Sequence, residues 1–259
     1  MIPLRVAALA HTATADLHAN KTAIATAIAQ AARARVQLLV TPECALCGYP
    51  ATTGRLEAGN CQLAEYEEEL FALAGKQGLT LVLGSVAPDG RGGFLNLAVA
   101  GGPAPVLKLA KRALAPADRP WFTPGAEGSL LIRVGTWQVA IGICYEIRQA
   151  AWWYAAAAAG ADAAIILAHQ AGVDPDPGTK AAVLPALHAA RAAELALPLV
   201  LANTAAPDRW LDSAAWDARG VRTAQLGEGL LVSELIHRSQ LDPWYETVRR
   251  DALASWTRR

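Results

Sequence analysis

The residue that most invites a chemical reading is Cys144, in the run Val139-Ala-Ile-Gly-Ile-Cys144-Tyr145-Glu146. A thiol at the carboxyl end of a buried strand can face a crevice above a sheet, and a helix starting immediately afterwards would favour its thiolate. Position alone leaves a core cysteine equally open, because free cysteine is among the most buried residue types. Two other strand ends carry complementary groups. Leu38-Leu39-Val40-Thr41-Pro42-Glu43 delivers a carboxylate, and Leu107-Lys108-Leu109-Ala110-Lys111 delivers an amine. Covalent acyl transfer needs these three types: a carboxylate to take the thiol proton and later activate water, and an ammonium to stabilise the oxyanion. Taken singly, a Glu or Lys in such a place is more often a solvated surface group. Cys44-Ala45-Leu46-Cys47 is formally a C-x-x-C pair, the mark of a redox or zinc site, but it has no second pair and no histidine at ligand spacing.

The elements that must position these groups follow from periodicity. Strands are expected at Pro3–Ala10, Val36–Val40, Leu79–Gly84, Phe94–Ala100, Pro105–Leu109, Ser129–Val134, Trp137–Ile143, Ala163–Ala168, Leu199–Ala202, Gly220–Leu226 and Gly229–Leu235. Helices are expected at Asn20–Arg35, Glu65–Gln77, Gln149–Ala159 and Ala181–Leu197. Proline at position 42 ends the second strand and leaves Glu43 just past it. Val139, Ala140, Ile141 and Ile143 put apolar side chains on both faces, as in a strand covered on both sides. Alternation of such strands with helices predicts an α/β fold on a covered sheet. The absence of an internal repeat or low-complexity linker suggests one domain over 1–259, with 241–259 a tail that packs on this chain or on another subunit. In Trp152-Trp153-Tyr154, core or interface packing is the simpler role than ligand stacking.

Composition narrows the class further. The chain has 259 residues, 53% hydrophobic and 18% charged, which fits a globular protein and excludes a disordered or fibrous one. With 23 basic and 23 acidic residues the net charge is zero, so there is no bulk electrostatic attraction to nucleic acid. Four cysteines in a chain this long are not a secreted disulfide framework, and the first apolar stretch is too short for a signal peptide. Ala151–Ala168 is alanine-rich, interrupted by Gly160 and Asp162, and barely long enough for a bilayer of about 30 Å. These features predict a cytoplasmic protein with neither a membrane nor a nucleic-acid partner.

Three strings together resemble the signature blocks of the carbon-nitrogen hydrolase (nitrilase) superfamily: Thr41-Pro-Glu43-Cys-Ala-Leu-Cys-Gly48-Tyr49-Pro50; Lys108-Leu-Ala-Lys111-Arg-Ala-Leu114 with Trp121-Phe122-Thr-Pro-Gly125; and Gly142-Ile-Cys144-Tyr145-Glu146. The likeness continues through Gly160-Ala161-Asp162, Arg191-Ala192-Ala-Glu194 and Asn203, covering most of the chain to about residue 235. The resemblance implies a four-layer αββα sandwich, with Glu43 as general base, Lys111 as oxyanion-stabilising lysine and Cys144 as nucleophile. Lys111 is preferred to Lys108 because Leu114 lies three residues on, as in the family's motif. The backbone N–H of Tyr145 would be a second oxyanion donor. Asp118 and Glu146 are auxiliary candidates, and Asp118 stands where many members carry a longer glutamate. No metal or organic cofactor is implied, and a homodimer or larger homo-oligomer is.

Other positions depart from the family pattern. Leu195 replaces a frequent asparagine, Thr204–Asp208 replaces a glycine-containing loop, and His169–Lys180 is expected to rim the pocket. His169, His188 and His237 read as satisfied polar residues rather than ligands. The implied reaction is hydrolysis of a non-peptide C–N bond, most simply of a small carboxamide, with ammonia released through a thioester. Nitrile or N-carbamoyl-amine hydrolysis is the chemical alternative, and a catalytically silent binding member of the same fold is the alternative from another class.

Overall fold

Short apolar runs between alanine-rich helices become two β-sheets in the computed structural model, which describes residues 1–56, 61–126, 131–172 and 178–257. The first half of the chain gives β1 (Leu4–Ala10), α1 (Leu17–Arg33), β2 (Leu38–Val40), α2 (Pro50–Thr53), α3 (Cys61–Lys76), β3 (Thr80–Pro88), β4 (Phe94–Gly101) and β5 (Leu107–Ala110). The second half gives β6 (Leu131–Val134), β7 (Trp137–Ile143), α4 (Ala150–Ala158), β8 (Ala163–Ala168), α5 (Thr179–Leu195), β9 (Leu199–Asn203), β10 (Ser213–Trp216), β11 (Arg222–Leu226), β12 (Gly229–Leu235) and α6 (Pro243–Thr257).

Among the described residues each sheet has six strands, in the orders β12-β1-β2-β3-β4-β5 and β11-β10-β9-β8-β7-β6. The centre of each is parallel (β1, β2, β3 and β7, β8, β9) and its flanks are antiparallel. Side-chain alternation along the strands builds the layers. Val6 and Ala8 of β1 and Ile165 and Leu167 of β8 meet in the seam between the sheets. Their neighbours turn outward: Ala7 and Leu9 pack under α1 and α3, and Ala164 and Ile166 pack under α4 and α5. Strands buried on both faces explain the near-continuous apolar runs. The result is an αββα sandwich.

Helix boundaries have local causes. The Asp16 carboxylate accepts the N–H groups of His18 and Ala19 and so starts α1, whose Ile24, Ala27, Ile28 and Ala31 form one buried stripe. The 243–257 tail is the helix α6 and packs on its own chain. From it the buried Arg249 donates to the carbonyls of Leu195 (2.7 Å), Ala157 (2.8 Å) and Ala161 (3.0 Å), near the ends of α5 and α4, where helix carbonyls run short of intrahelical partners. Trp256 stacks on Tyr154 with ring centroids 4.8 Å apart.

Three features differ from the sequence expectation. Strand β10 is too short to stand out by periodicity, and α2 is a single turn. The chain after Cys144 is not yet a helix: Cys144–Arg148 is a 3₁₀ turn, extended backbone at Gln149 interrupts it, and α4 begins at Ala150. Ser129 and Leu130, the expected start of β6, lie outside the described residues, as do Asp174 and Asp176 of the expected rim.

Candidate active site

Glu43 is turned inward by the backbone around it. Beyond β2, the Thr41 hydroxyl accepts the Gly84 N–H (2.9 Å), tying the turn to β3. A Cβ at Gly84 would overlap the Pro42 carbonyl oxygen, so only glycine lets the turn lie this close. Cys44 follows with φ +52°, a left-handed conformation unusual for a residue with a Cβ. The Glu43 side chain is fully buried. Its Oε1 accepts from the Lys111 ammonium (2.6 Å) and from Asn96 Nδ2 (2.7 Å), and its Oε2 accepts the His169 N–H (3.0 Å).

Lys111 enters from the end of β5, where its N–H donates to the Asn96 carbonyl at 2.8 Å. Its ammonium also lies 2.7 Å from Asp118 Oδ2. The shorter aspartate therefore reaches the lysine. Asp118 is itself held by the Ala115 N–H (2.7 Å) and the Tyr49 hydroxyl (2.6 Å). Two carboxylates around one ammonium leave this buried cluster one negative charge in excess. Burial works against the Lys111 ammonium, but the neighbouring acidic groups, Glu43 foremost, outweigh it and hold its pKa above the ordinary lysine value. Lys108, by contrast, is exposed and lies 3.7 Å from Glu67.

Cys144 sits at the head of its 3₁₀ turn with φ +46°, so the nucleophile candidate occupies a strained corner at the end of β7. Burial and then the Glu43 charge push its thiol well up, and neither Lys111 nor the His169 N–H reverses this. The expectation that a helix amino end favours the thiolate is corrected: the helix starts six residues later, and burial with the Glu43 charge favours the neutral thiol. Gly142 lets the ring of Trp152 close behind the strand, since a Cβ there would lie 2.7 Å from it. Trp153 is buried and donates to the Ile147 carbonyl at 2.6 Å, so the aromatic pair is core.

Glu146 braces the turn. Its carboxylate accepts the N–H groups of Ile143 (2.9 Å) and Arg112 (2.8 Å), and burial raises its pKa. It faces a groove on the other side of the turn, with Arg112, Gln149 and Trp152. Cys144 and Tyr145 instead line a cavity of about 280 Å³ whose walls include Tyr49, Ala117, His169 and Trp210. His169 stacks on Tyr49 at 4.5 Å, its Nε2 lies 3.0 Å from the Thr52 hydroxyl, and burial lowers its pKa. Two wider grooves among the described residues, about 560 and 390 Å³, do not have Cys144 in their lining.

Several participants were not singled out from sequence. Asn96 had one signal, an amide inside an otherwise apolar strand. The His169 N–H had none, because a backbone donor is invisible in residue types. Asn203 accepts the Gln170 N–H (2.8 Å) and donates to the Leu211 carbonyl (2.7 Å), which fixes the cavity wall after β8. Cys44 and Cys47 are both buried, with the Cys47 thiol 3.8 Å from the Cys44 carbonyl. Among the described residues no group of three or more His, Cys, Asp and Glu side chains is disposed to hold a metal ion. His237 is satisfied by Ser239 and Asp162, whereas His188, on α5, is buried with both ring nitrogens lacking a well-formed hydrogen bond.

The carbon-nitrogen hydrolase profile matches residues 5–245. The chain belongs to the carbon-nitrogen hydrolase family. Among solved structures this hydrolase is similar to an amidase from Nesterenkonia sp., at 26% identity and a TM-score of 0.79, with 98% of this chain and 96% of that one covered. A doubly substituted form of the Nesterenkonia sp. AN1 amidase in complex with acrylamide matches at 26% identity and a TM-score of 0.80, covering 98% and 97% of the two chains. An alanine-for-cysteine variant of the same amidase in complex with butyramide matches at 27% and 0.80, covering 97% and 96%. No curated protein matches the chain. None of the hydrolase's described helices is long and apolar enough to cross a membrane.

Proposed function

We propose that this carbon-nitrogen hydrolase is a thiol amidase that converts a small carboxamide and water into a carboxylate and ammonia. The observation that carries the reading is the buried Glu43–Lys111–Asp118 network bordering the Cys144 thiol on the wall of a cavity sized for a small molecule. Because the resting sulfur is protonated, attack and proton transfer go together. Glu43 takes the thiol proton as the sulfur bonds to the carbonyl carbon. The carbonyl oxygen becomes an oxyanion, met by the Lys111 ammonium and the Tyr145 N–H. Glu43 returns its proton to the nitrogen, the C–N bond breaks, and ammonia leaves a thioester on Cys144. A water gives a proton to Glu43 and its oxygen to the thioester carbon. Collapse of that second intermediate frees the carboxylic acid, and the sulfur recovers its proton.

Asp118 balances the lysine and fixes its direction, and Glu146 positions the turn that carries the sulfur. The similar Nesterenkonia amidase supports the amide reading: one variant shows Michael addition of acrylamide at its active-site cysteine, and another is in complex with butyramide. The reading is tested by adding hydroxylamine to a reaction with butyramide. A thioester passes its acyl group to hydroxylamine, so hydroxamate forms alongside ammonia in the wild type and not in Cys144→Ala. Ammonia release with no hydroxamate at any hydroxylamine concentration contradicts a covalent intermediate.

A further inference from the structure

Two stacked rings join the ends of the buried charge network. Tyr49 and His169 face each other with centroids 4.5 Å apart and planes inclined by 18°, and both line the cavity with Cys144. Each ring is also held by a polar group. The Tyr49 hydroxyl donates to Asp118 Oδ1 at 2.6 Å, and His169 Nε2 lies 3.0 Å from the hydroxyl of Thr52, whose own N–H donates to the Tyr49 carbonyl at 2.9 Å. The contacts close a circuit. It runs from Glu43 through the Lys111 ammonium to Asp118, through the Tyr49 hydroxyl and the stack to His169, and by the His169 N–H back to Glu43. Every link but the stack is a hydrogen bond or an ion pair. Because the Glu43 N–H also reaches the Ala168 carbonyl at 3.4 Å, the ring on His169 shares its backbone frame with the general base.

Asp118 depends on the hydroxyl that this stack holds. Its carboxylate is fully buried, and Oδ2 is shared by the Lys111 ammonium and the Ala115 N–H, both at 2.7 Å. Among the described residues the Tyr49 hydroxyl is the donor to Oδ1. A buried charged oxygen that loses its donor bears a large desolvation cost. Without the hydroxyl the carboxylate is free to turn Oδ1 toward the lysine as well, which draws the ammonium away from Glu43 and from the place where the oxyanion forms.

Resting on the amidase reading above, we infer that Tyr49 and His169 are positioning residues: the His169 ring holds Tyr49, the Tyr49 hydroxyl holds Asp118, and Asp118 aims the Lys111 ammonium at the oxyanion. The aim matters when charge develops on the carbonyl oxygen, so its loss falls on kcat and spares KM. Tyr49→Phe keeps the stack and the cavity wall but removes the hydroxyl. Its kcat for butyramide should fall by about tenfold, the worth of one hydrogen bond to a charged group, with KM within about twofold of wild type. His169→Ala should lower kcat by a similar factor, and His169→Phe, which keeps a flat ring, should recover most of that loss. Both residues act through one hydroxyl, so the double variant Tyr49→Phe/His169→Ala should be about as slow as either single one, whereas independent roles would multiply to about a hundredfold.

Butanal, the aldehyde matching butyramide, separates positioning from C–N cleavage. The Cys144 sulfur bonds to its carbonyl carbon and the thiol proton ends on the oxygen, giving a hemithioacetal whose oxygen lies where the oxyanion would. Carbon NMR of butanal labelled at the carbonyl carbon reads its dissociation constant in each variant, with Cys144→Ala as the blank. Weakening by about threefold or more in Tyr49→Phe and His169→Ala, recovered in His169→Phe, supports the inference even if no amide is turned over, an outcome that would count only against the amidase reading. Unchanged kcat and butanal affinity in folded Tyr49→Phe overturn the inference while leaving the amidase reading standing. A loss confined to KM, losses that multiply in the double variant, or equal losses in His169→Phe and His169→Ala overturn it too, as does a folded wild type that forms no hemithioacetal.

Discussion

At the scale of single residues, the account turns on a thiol that is not ionised at rest. Burial and the Glu43 carboxylate raise the Cys144 pKa, so at neutral pH the sulfur should show no thiolate absorbance in the ultraviolet difference between wild type and Cys144→Ala. The band should appear only as pH rises beyond the ordinary cysteine range, and a full thiolate signal at pH 7 would contradict base-assisted attack. Glu43→Gln should keep the fold and lower turnover by about 10³-fold or more, because it removes the proton acceptor in both half-reactions. Asp118→Asn should cost less, on the order of tenfold to a hundredfold in kcat, since Lys111 keeps Glu43 as a partner. Equal losses in the two variants would assign Asp118 a larger part. The sequence showed Glu43 and Cys144 at strand ends, where side chains reach a crevice, whereas their expected roles and the preference for Lys111 over Lys108 came from the resemblance to the family's motifs. Asn96, the Tyr49 hydroxyl and the His169 N–H were not legible, because each acts through a contact between segments far apart in the chain.

At the scale of elements, two glycines show how the strands deliver the site. Gly84 on β3 lies against the Pro42 carbonyl, so Gly84→Ala must push the Glu43 turn away. Overpacking of this kind costs about 1–3 kcal/mol, and kcat should fall with it because Glu43 moves. A thermal melt and a rate assay on one preparation check both, and an unchanged melt would contradict the close approach. β1, β7 and β8 matched their apolar runs closely, since strands buried on both faces leave a continuous signal. β10 was missed because its four residues, Ser213–Trp216, take their place from pairing with β9 rather than from their own pattern. The 3₁₀ turn after Cys144 was read as helix for a related reason: its composition allows either, and bonds from Glu146 to Ile143 and Arg112 decide.

At the scale of the whole molecule, α6 and α5 reveal how the outer layer is fastened to the sheets. Arg249→Met removes a donor from three carbonyls and leaves that of Leu195 short of one, and should destabilise the fold by about 1–3 kcal/mol, read as a lowered unfolding midpoint in urea. His188 couples this layer to pH. Burial first, and the Arg148 charge as well, lower its pKa to about 4, with the Leu184 carbonyl one turn away opposing. Above the unfolded value of 6.5 both states carry the neutral ring. As pH falls below it the unfolded chain takes up the proton first, so stability declines until about pH 4, by about 3 kcal/mol in all. His188→Gln should flatten that part of the stability curve, and an unchanged slope would assign it to other groups. The layered fold was legible from the alternation of strands and helices, whereas the anchoring of the tail was not, because one arginine reaching three helix-end carbonyls leaves no periodic trace.

The most direct test of the central claim is ammonia release by the purified protein from a panel of short carboxamides, run beside Cys144→Ala with both proteins shown to be folded by circular dichroism. The account predicts release by the wild type and none above background by the variant. Undiminished release by folded Cys144→Ala, or silence of the folded wild type across the panel, would contradict it.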